Sequence, residues 1–86
     1  MDKGNVIGYI KKGVRDMFIH CLFRNENHFI ECYREHFPIG CDNIEMKKVD
    51  DNTFHLSVDF GDVVAEMDIK THISKRSAIY VIDAIE

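Results

Sequence analysis

The stretch NHFIECYREHF, residues 27–37, places His28, Cys32 and His36 at four-residue steps. Imidazole and thiolate are zinc ligands, and a helix presents two of them at i and i+4 on one face. His28 with Cys32, or Cys32 with His36, would make such a pair. Zinc usually takes four ligands in a tetrahedron, so Cys21, Cys41 or His20 would have to complete it. No recognised zinc spacing is present. A second row, Phe29, Tyr33 and Phe37, follows at the same step one position later. At roughly 100° per residue these rings centre an apolar arc. His36 then lies near its centre, Cys32 at its shoulder and His28 at its polar boundary, with Glu31, Arg34 and Glu35 on the far side. The His/Cys row thus reads as the flank of a core stripe, and no metal or cofactor is expected.

Other chemistry is thinner. Cys21 adjoins His20, but sequence neighbours point to different faces of a helix, so they form no nucleophile–base pair. The glycines at 4, 8, 13, 40 and 61 are scattered and make no phosphate-binding loop. His55 and Asp68 pair across a hairpin in the register derived below, which on an open sheet face is a surface ion pair. No catalytic residue is assigned.

Charge distribution is the remaining signal. From Asp50 to Asp68 the chain carries Asp50, Asp51, Asp59, Asp62, Glu66 and Asp68 with no lysine or arginine between them. Lys70, Lys75 and Arg76 lie in the loop that follows it. Lys11, Lys12 and Arg15 form a second small cluster, and neither cluster is interleaved with exposed aromatics. Nucleic-acid binding would require a broad basic face, so direct binding is not expected.

These side chains need elements to carry them. Residues 5–24 place apolar side chains at Val6, Ile7, Ile10, Val14, Met17, Phe18, Cys21 and Leu22, the spacing of an amphipathic helix that Asn5 can cap. Gly8 and Gly13 each cost ~1 kcal/mol against alanine inside a helix. A hairpin turning at Lys12-Gly13, with Met17–Phe23 as a strand, is the rival. Residues 26–37 form a second helix, capped by Asn25 and stopped at Phe37-Pro38-Ile39-Gly40. A bend near residues 24–27 separates the two.

The second half changes period. Ile44–Val49 is a short strand, and Asp50-Asp51-Asn52 is turn chemistry. Phe54, Leu56, Val58 and Phe60 alternate with His55, Ser57 and Asp59, a half-buried strand. Gly61-Asp62 is a two-residue hairpin turn, and Val63–Lys70 returns as the next strand. That turn pairs Phe60 with Val63, Val58 with Ala65, Leu56 with Met67 and Phe54 with Ile69, an entirely apolar face. The opposite face pairs Asp59 with Val64, Ser57 with Glu66 and His55 with Asp68. A one-residue slip would mix the faces, so the register is well specified. Lys70–Ser77 is a basic loop. Ala78–Ile85 is a last strand, with Ile79, Val81 and Ile85 on one side and Tyr80 and Ile82 on the other.

The fold class is therefore α+β: one or two N-terminal helices packed on one face of an antiparallel meander of three to four strands. At 86 residues, 45% hydrophobic and 30% charged, the chain is expected to be one compact domain, 1–86. Three cysteines without a CxxC read as reduced thiols buried as small hydrophobes. No apolar run reaches the length of a membrane span and the N-terminus is no signal peptide, so a cytoplasmic location is expected.

Two functional readings follow. The first is a small protein-binding module of the inhibitor, immunity or anti-defence kind. Its acidic sheet face, Asp59, Asp62, Glu66 and Asp68, would engage a basic partner protein, including one that handles nucleic acid. The alternative is a homo-oligomer, structural or binding a small ligand, without catalytic activity. There the strand Ala78–Ile85 and the first helix pair with copies of themselves as a homodimer.

Overall fold

The computed structural model describes residues 3–37 and 43–86. They form α1 (Lys3–Phe18), β1 (Leu22–Phe23), α2 (Glu26–His36), β2 (Asn43–Asp50), β3 (Thr53–Asp59), β4 (Val64–Ser74) and β5 (Ile79–Ile85). β2 to β5 run as an antiparallel meander. β1 adds to its β5 edge, giving five strands in the order β1-β5-β4-β3-β2. The α+β class and the meander hold, and the strand count rises to five.

The helix expected over 5–24 starts earlier and stops at Phe18, and the hairpin rival is not formed. Asn5 is inside the helix rather than its cap. Val14 and Phe18 are buried, with Ile7 and Ile10 packed at the edge of the core. Met17 and Leu22, assigned to the apolar stripe, are exposed. The helix ends because His20 takes a positive φ of 65° and turns the chain back. Its N–H then donates to the Ile82 carbonyl at 2.8 Å, and the Cys21 carbonyl accepts from Ile82 N–H at 3.1 Å. Hydrogen bonds to β5 replace further helix, a tertiary gain that local spacing does not contain.

α2 follows the sequence closely. The Asn25 side chain accepts from His28 N–H at 2.9 Å, and His28 Nδ1 accepts from Arg24 N–H at 3.0 Å. The entry to the helix is thus capped from both directions. Phe37 ends it, donating its N–H to the Tyr33 carbonyl. Pro38, Ile39 and Gly40, the rest of the expected stop, lie outside the described residues.

The hairpin register is the one derived from alternation: Phe54 opposite Ile69, His55 opposite Asp68, Leu56 opposite Met67, Ser57 opposite Glu66, Val58 opposite Ala65 and Asp59 opposite Val64. Phe60 N–H donates to the Val63 carbonyl at 2.8 Å, and Gly61 takes a φ of +92° that a side chain would strain. The inner face is dry: Phe54, Leu56, Val58, Ala65 and Ile69 are fully buried.

The last two strands differ from the expectation in their bounds and register. β4 continues to Ser74, so most of the segment read as a basic loop is strand, and the turn is 75–78. β5 begins at Ile79 rather than Ala78. A register shift at Lys70/Thr71 inserts Asp83 into β5, since Lys70 faces Ala84 and Thr71 faces Ile82. Ile82 and Ile85 therefore both reach the core, where simple alternation had put them on opposite sides.

α1 packs on β4 and β5, while α2 packs on β2 and β1. The helices meet the sheet through an aromatic chain. Ring centroids are 5.1 Å apart for Phe18–Phe29, 5.5 Å for Phe23–Phe29, 5.2 Å for Phe23–Phe54 and 4.9 Å for Phe54–Tyr80. Tilted and edge-on rings at these spacings add attraction beyond their buried area. Lys48 covers the end of the chain, its Nζ 5.7 Å from the Tyr80 centroid.

Candidate functional site

The outer sheet face carries every charged side chain singled out on the two central strands. Asp59 is half-buried beside the β3–β4 turn, and its Oδ1 accepts from Gly61 N–H at 2.8 Å. Asp62 is exposed on that turn. Glu66 and Asp68 project from β4 on the same side of the sheet as Asp59, because strand residues two apart share a face.

The flanking strands change the electrostatics of this face. β2 pairs with β3 so that Asn43 faces Asp59, Glu45 faces Ser57 and Lys47 faces His55. Glu45 thus joins Asp59, Asp62 and Glu66 at the turn end. It was missed in sequence because it lies upstream of the acidic run. Its signal was the alternation Ile44, Glu45, Met46, which turns Glu45 outward wherever Ile44 and Met46 turn in. At the other end, Lys47 faces His55 across β2 and β3, and Lys70 follows Asp68 by two residues on β4. The charge gradient that the linear sequence places along the chain is therefore a gradient across one face, acidic at the β3–β4 turn and mixed towards the opposite end.

Two histidines sit in the mixed region. His55 Nδ1 lies 2.9 Å from Asp68 Oδ1, and its Nε2 lies 3.5 Å from Glu66 Oε1. The Asp68 hydrogen bond raises the His55 pKa above its ordinary value, and Glu66 adds to the rise against a partial loss of hydration. His72 Nδ1 lies 2.8 Å from Asp83 Oδ1 on the neighbouring strands. Sequence spacing exposed the first pair; the second depends on the extra residue in β5.

At the acidic end the face is concave. A shallow groove of about 430 Å³ is lined by Asn43, Ile44, Glu45, Ser57, Asp59 and Val64. A smaller depression of about 120 Å³, lined by Glu45, Lys47, His55, Ser57 and Glu66, adjoins it through shared residues. Glu45 and Asp59 bring carboxylates to the groove, and the exposed Val64 brings an alkyl side chain. That chemistry suits the long, partly apolar stem and cationic head of lysine or arginine.

The His/Cys row of α2 is distributed as its helical angles require, with one exception. Phe29 and Tyr33 are buried and Phe37 is half-buried. Cys32 flanks the core. His28 is exposed and belongs to the helix cap. His36, expected near the centre of the arc, is exposed, with its ring 5.6 Å edge-on to Phe18. Among the described residues no three His, Cys, Asp or Glu side chains are grouped to hold a metal ion. Cys41, a possible fourth ligand, lies outside them. No described helix is long and apolar enough to cross a membrane. No protein family, curated protein or solved structure matches the chain.

Proposed function

We propose that the protein is a small binding module whose outer sheet face docks a basic partner protein. The observation that carries this reading is the groove between Glu45 and Asp59, with Glu66 and Asp62 beside it. Carboxylates on a concave, partly apolar surface attract a basic side chain from a distance and give its stem something to cover. Asp68 belongs to the same face but is engaged by His55, so it contributes to the long-range field more than to direct contact.

The homo-oligomer reading loses part of its basis. The strand expected to pair with a copy of itself, β5, already lies between β1 and β4. The exposed edge strand β2 carries Lys47 and Lys48 and a register shift between Lys48 and Asp50, features that discourage edge-to-edge pairing.

The test is association with a lysine-rich peptide, followed by stopped-flow at low and physiological salt. Wild-type protein should bind, and added salt should weaken binding because exposed charges are screened beyond about 8–10 Å. Asp59→Lys combined with Glu66→Lys should slow association on the order of tenfold or more. The circular dichroism of the double variant should be unchanged, since Asp59 is only partly covered and Glu66 is exposed. If the double variant associates as fast as wild type at low salt, the face is a solvated surface and the proposal fails.

A further inference from the structure

Cys21, in the corner between α1 and β1, and Cys32 of α2 both pack at the edge of the aromatic core. The Cys21 backbone is held from two directions: its N–H donates to the Phe18 carbonyl at 2.7 Å, and its carbonyl accepts from Ile82 N–H at 3.1 Å. Two rings on either side of it in the chain, Phe18 and Phe23, both pack on Phe29 of α2. Cys32 is one helical turn beyond Phe29, and residues at that spacing share a helix face. Cys21 is therefore pressed against the part of α2 that presents Cys32. Both side chains are half-buried against the same core. The Cys21 thiol donates to the Leu22 carbonyl at 3.7 Å, and Cys32 is near enough to add to the upward shift of its pKa that burial begins.

We propose that Cys21 and Cys32 are a reversible dithiol–disulfide pair, oxidised by exchange with a small disulfide such as oxidised glutathione. One cysteine thiolate attacks a glutathione sulfur, breaks the S–S bond and forms a mixed disulfide, releasing one glutathione thiolate. The second cysteine thiolate attacks the protein-side sulfur of that mixed disulfide and releases the second glutathione. The two cysteines lose two electrons and two protons, and oxidised glutathione takes up both to become two thiols. The new bond ties the corner between α1 and β1 to the middle of α2, closing a loop of roughly a dozen residues. Burial, with Cys32 beside it, pushes the Cys21 thiol up and keeps it protonated at neutral pH. Exchange should therefore accelerate as pH rises, because the thiolate is the reacting form. The pair lies in the helical layer, so this inference is independent of the outer-face proposal.

The experiment uses the full chain with Cys41→Ser, so that two thiols remain. Reduced protein is incubated with oxidised glutathione, then analysed by intact mass, thiol titration and a non-reducing peptide map. The expected result is a monomer lighter by two hydrogens, with no titratable thiol and one peptide linking Cys21 to Cys32. Its thermal midpoint should be higher than that of the reduced form, and dithiothreitol should reverse the change. Persistent free thiols overturn the proposal, and so do separate glutathione adducts that never resolve. Wild-type protein supplies a second measurement should the variant fail to fold: a bridge to Cys41 in its peptide map also overturns the pairing.

Discussion

The two faces of the β3–β4 hairpin are made by alternate residues of the same two strands, yet they are held by different physics. On the inner face, Phe54, Leu56, Val58 and Ile69 touch side chains delivered by other elements, and none of them is exposed to solvent. On the outer face, His55, Ser57, Asp59, Glu66 and Asp68 touch mainly their cross-strand neighbours and solvent. The inner face answers to volume, because a deleted methyl group leaves a space that packed neighbours fill only in part. The outer face answers to charge, and water and salt dilute each of its contacts. Mutations should therefore separate into stability effects on one face and binding effects on the other.

The sharpest break between the faces is one residue wide. Leu56→Ala should cost ~2–5 kcal/mol by denaturant unfolding, a large share of the stability of a small domain. Ser57→Ala, its neighbour on the outer face, should be close to neutral. Equal costs would mean that the faces are not distinct in this way. The next effect tests what keeps them apart. Gly61→Ala puts a Cβ on a backbone with φ of +92°, at a cost of ~1–2 kcal/mol. Nothing lies within 4 Å of that Cβ, so the loss should arise from backbone strain alone, and Gly61→Asn should recover part of it.

The smallest effect belongs to the outer face. The His55 pKa is raised in the folded protein by Asp68 and Glu66, so protonated His55 favours the fold. Its contribution is complete below the ordinary value of 6.5 and is lost as pH rises through the raised folded value. With His55 and Asp68 side chains 36% and 49% exposed, the contribution should be on the order of a few tenths of a kcal/mol. A double-mutant cycle of His55→Gln and Asp68→Asn, run near pH 5.5 and again near pH 8, should show coupling only at the lower pH. Coupling that persists at the higher pH would mean that the neutral hydrogen bond, and not the charge, holds the pair.

The hairpin was legible because its period is unambiguous and its turn is two residues long. Together these leave one register in which Phe54, Leu56 and Val58 stay together. α2 was legible for a similar reason: Asn25 satisfies its own cap, and Phe29 and Tyr33 mark its buried face. The acidic residues Asp59, Asp62, Glu66 and Asp68 followed from that register. Glu45 did not, because it joins them through β2, and neither did Lys47 and Lys70, which offset the charge at the far end.

What the amino-acid order determined by itself is local: the periods, the caps, the turn at Gly61, and which residues of the central hairpin face inward. These depend on geometry that repeats every two or 3.6 residues and on hydrogen bonds closed within a few positions. Tertiary structure decided the rest. α1 stops at Phe18 because the backbone of His20 and Cys21 finds partners in Ile82, more than sixty residues away in sequence. Asp83 is set between two core residues because β5 must match β4 across a register shift. Cys21 and Cys32 share the edge of one core because Phe18, Phe23 and Phe29 pack together. Each of these depends on pairing between distant segments, whose free energy appears only when both are in place, and no local period carries it.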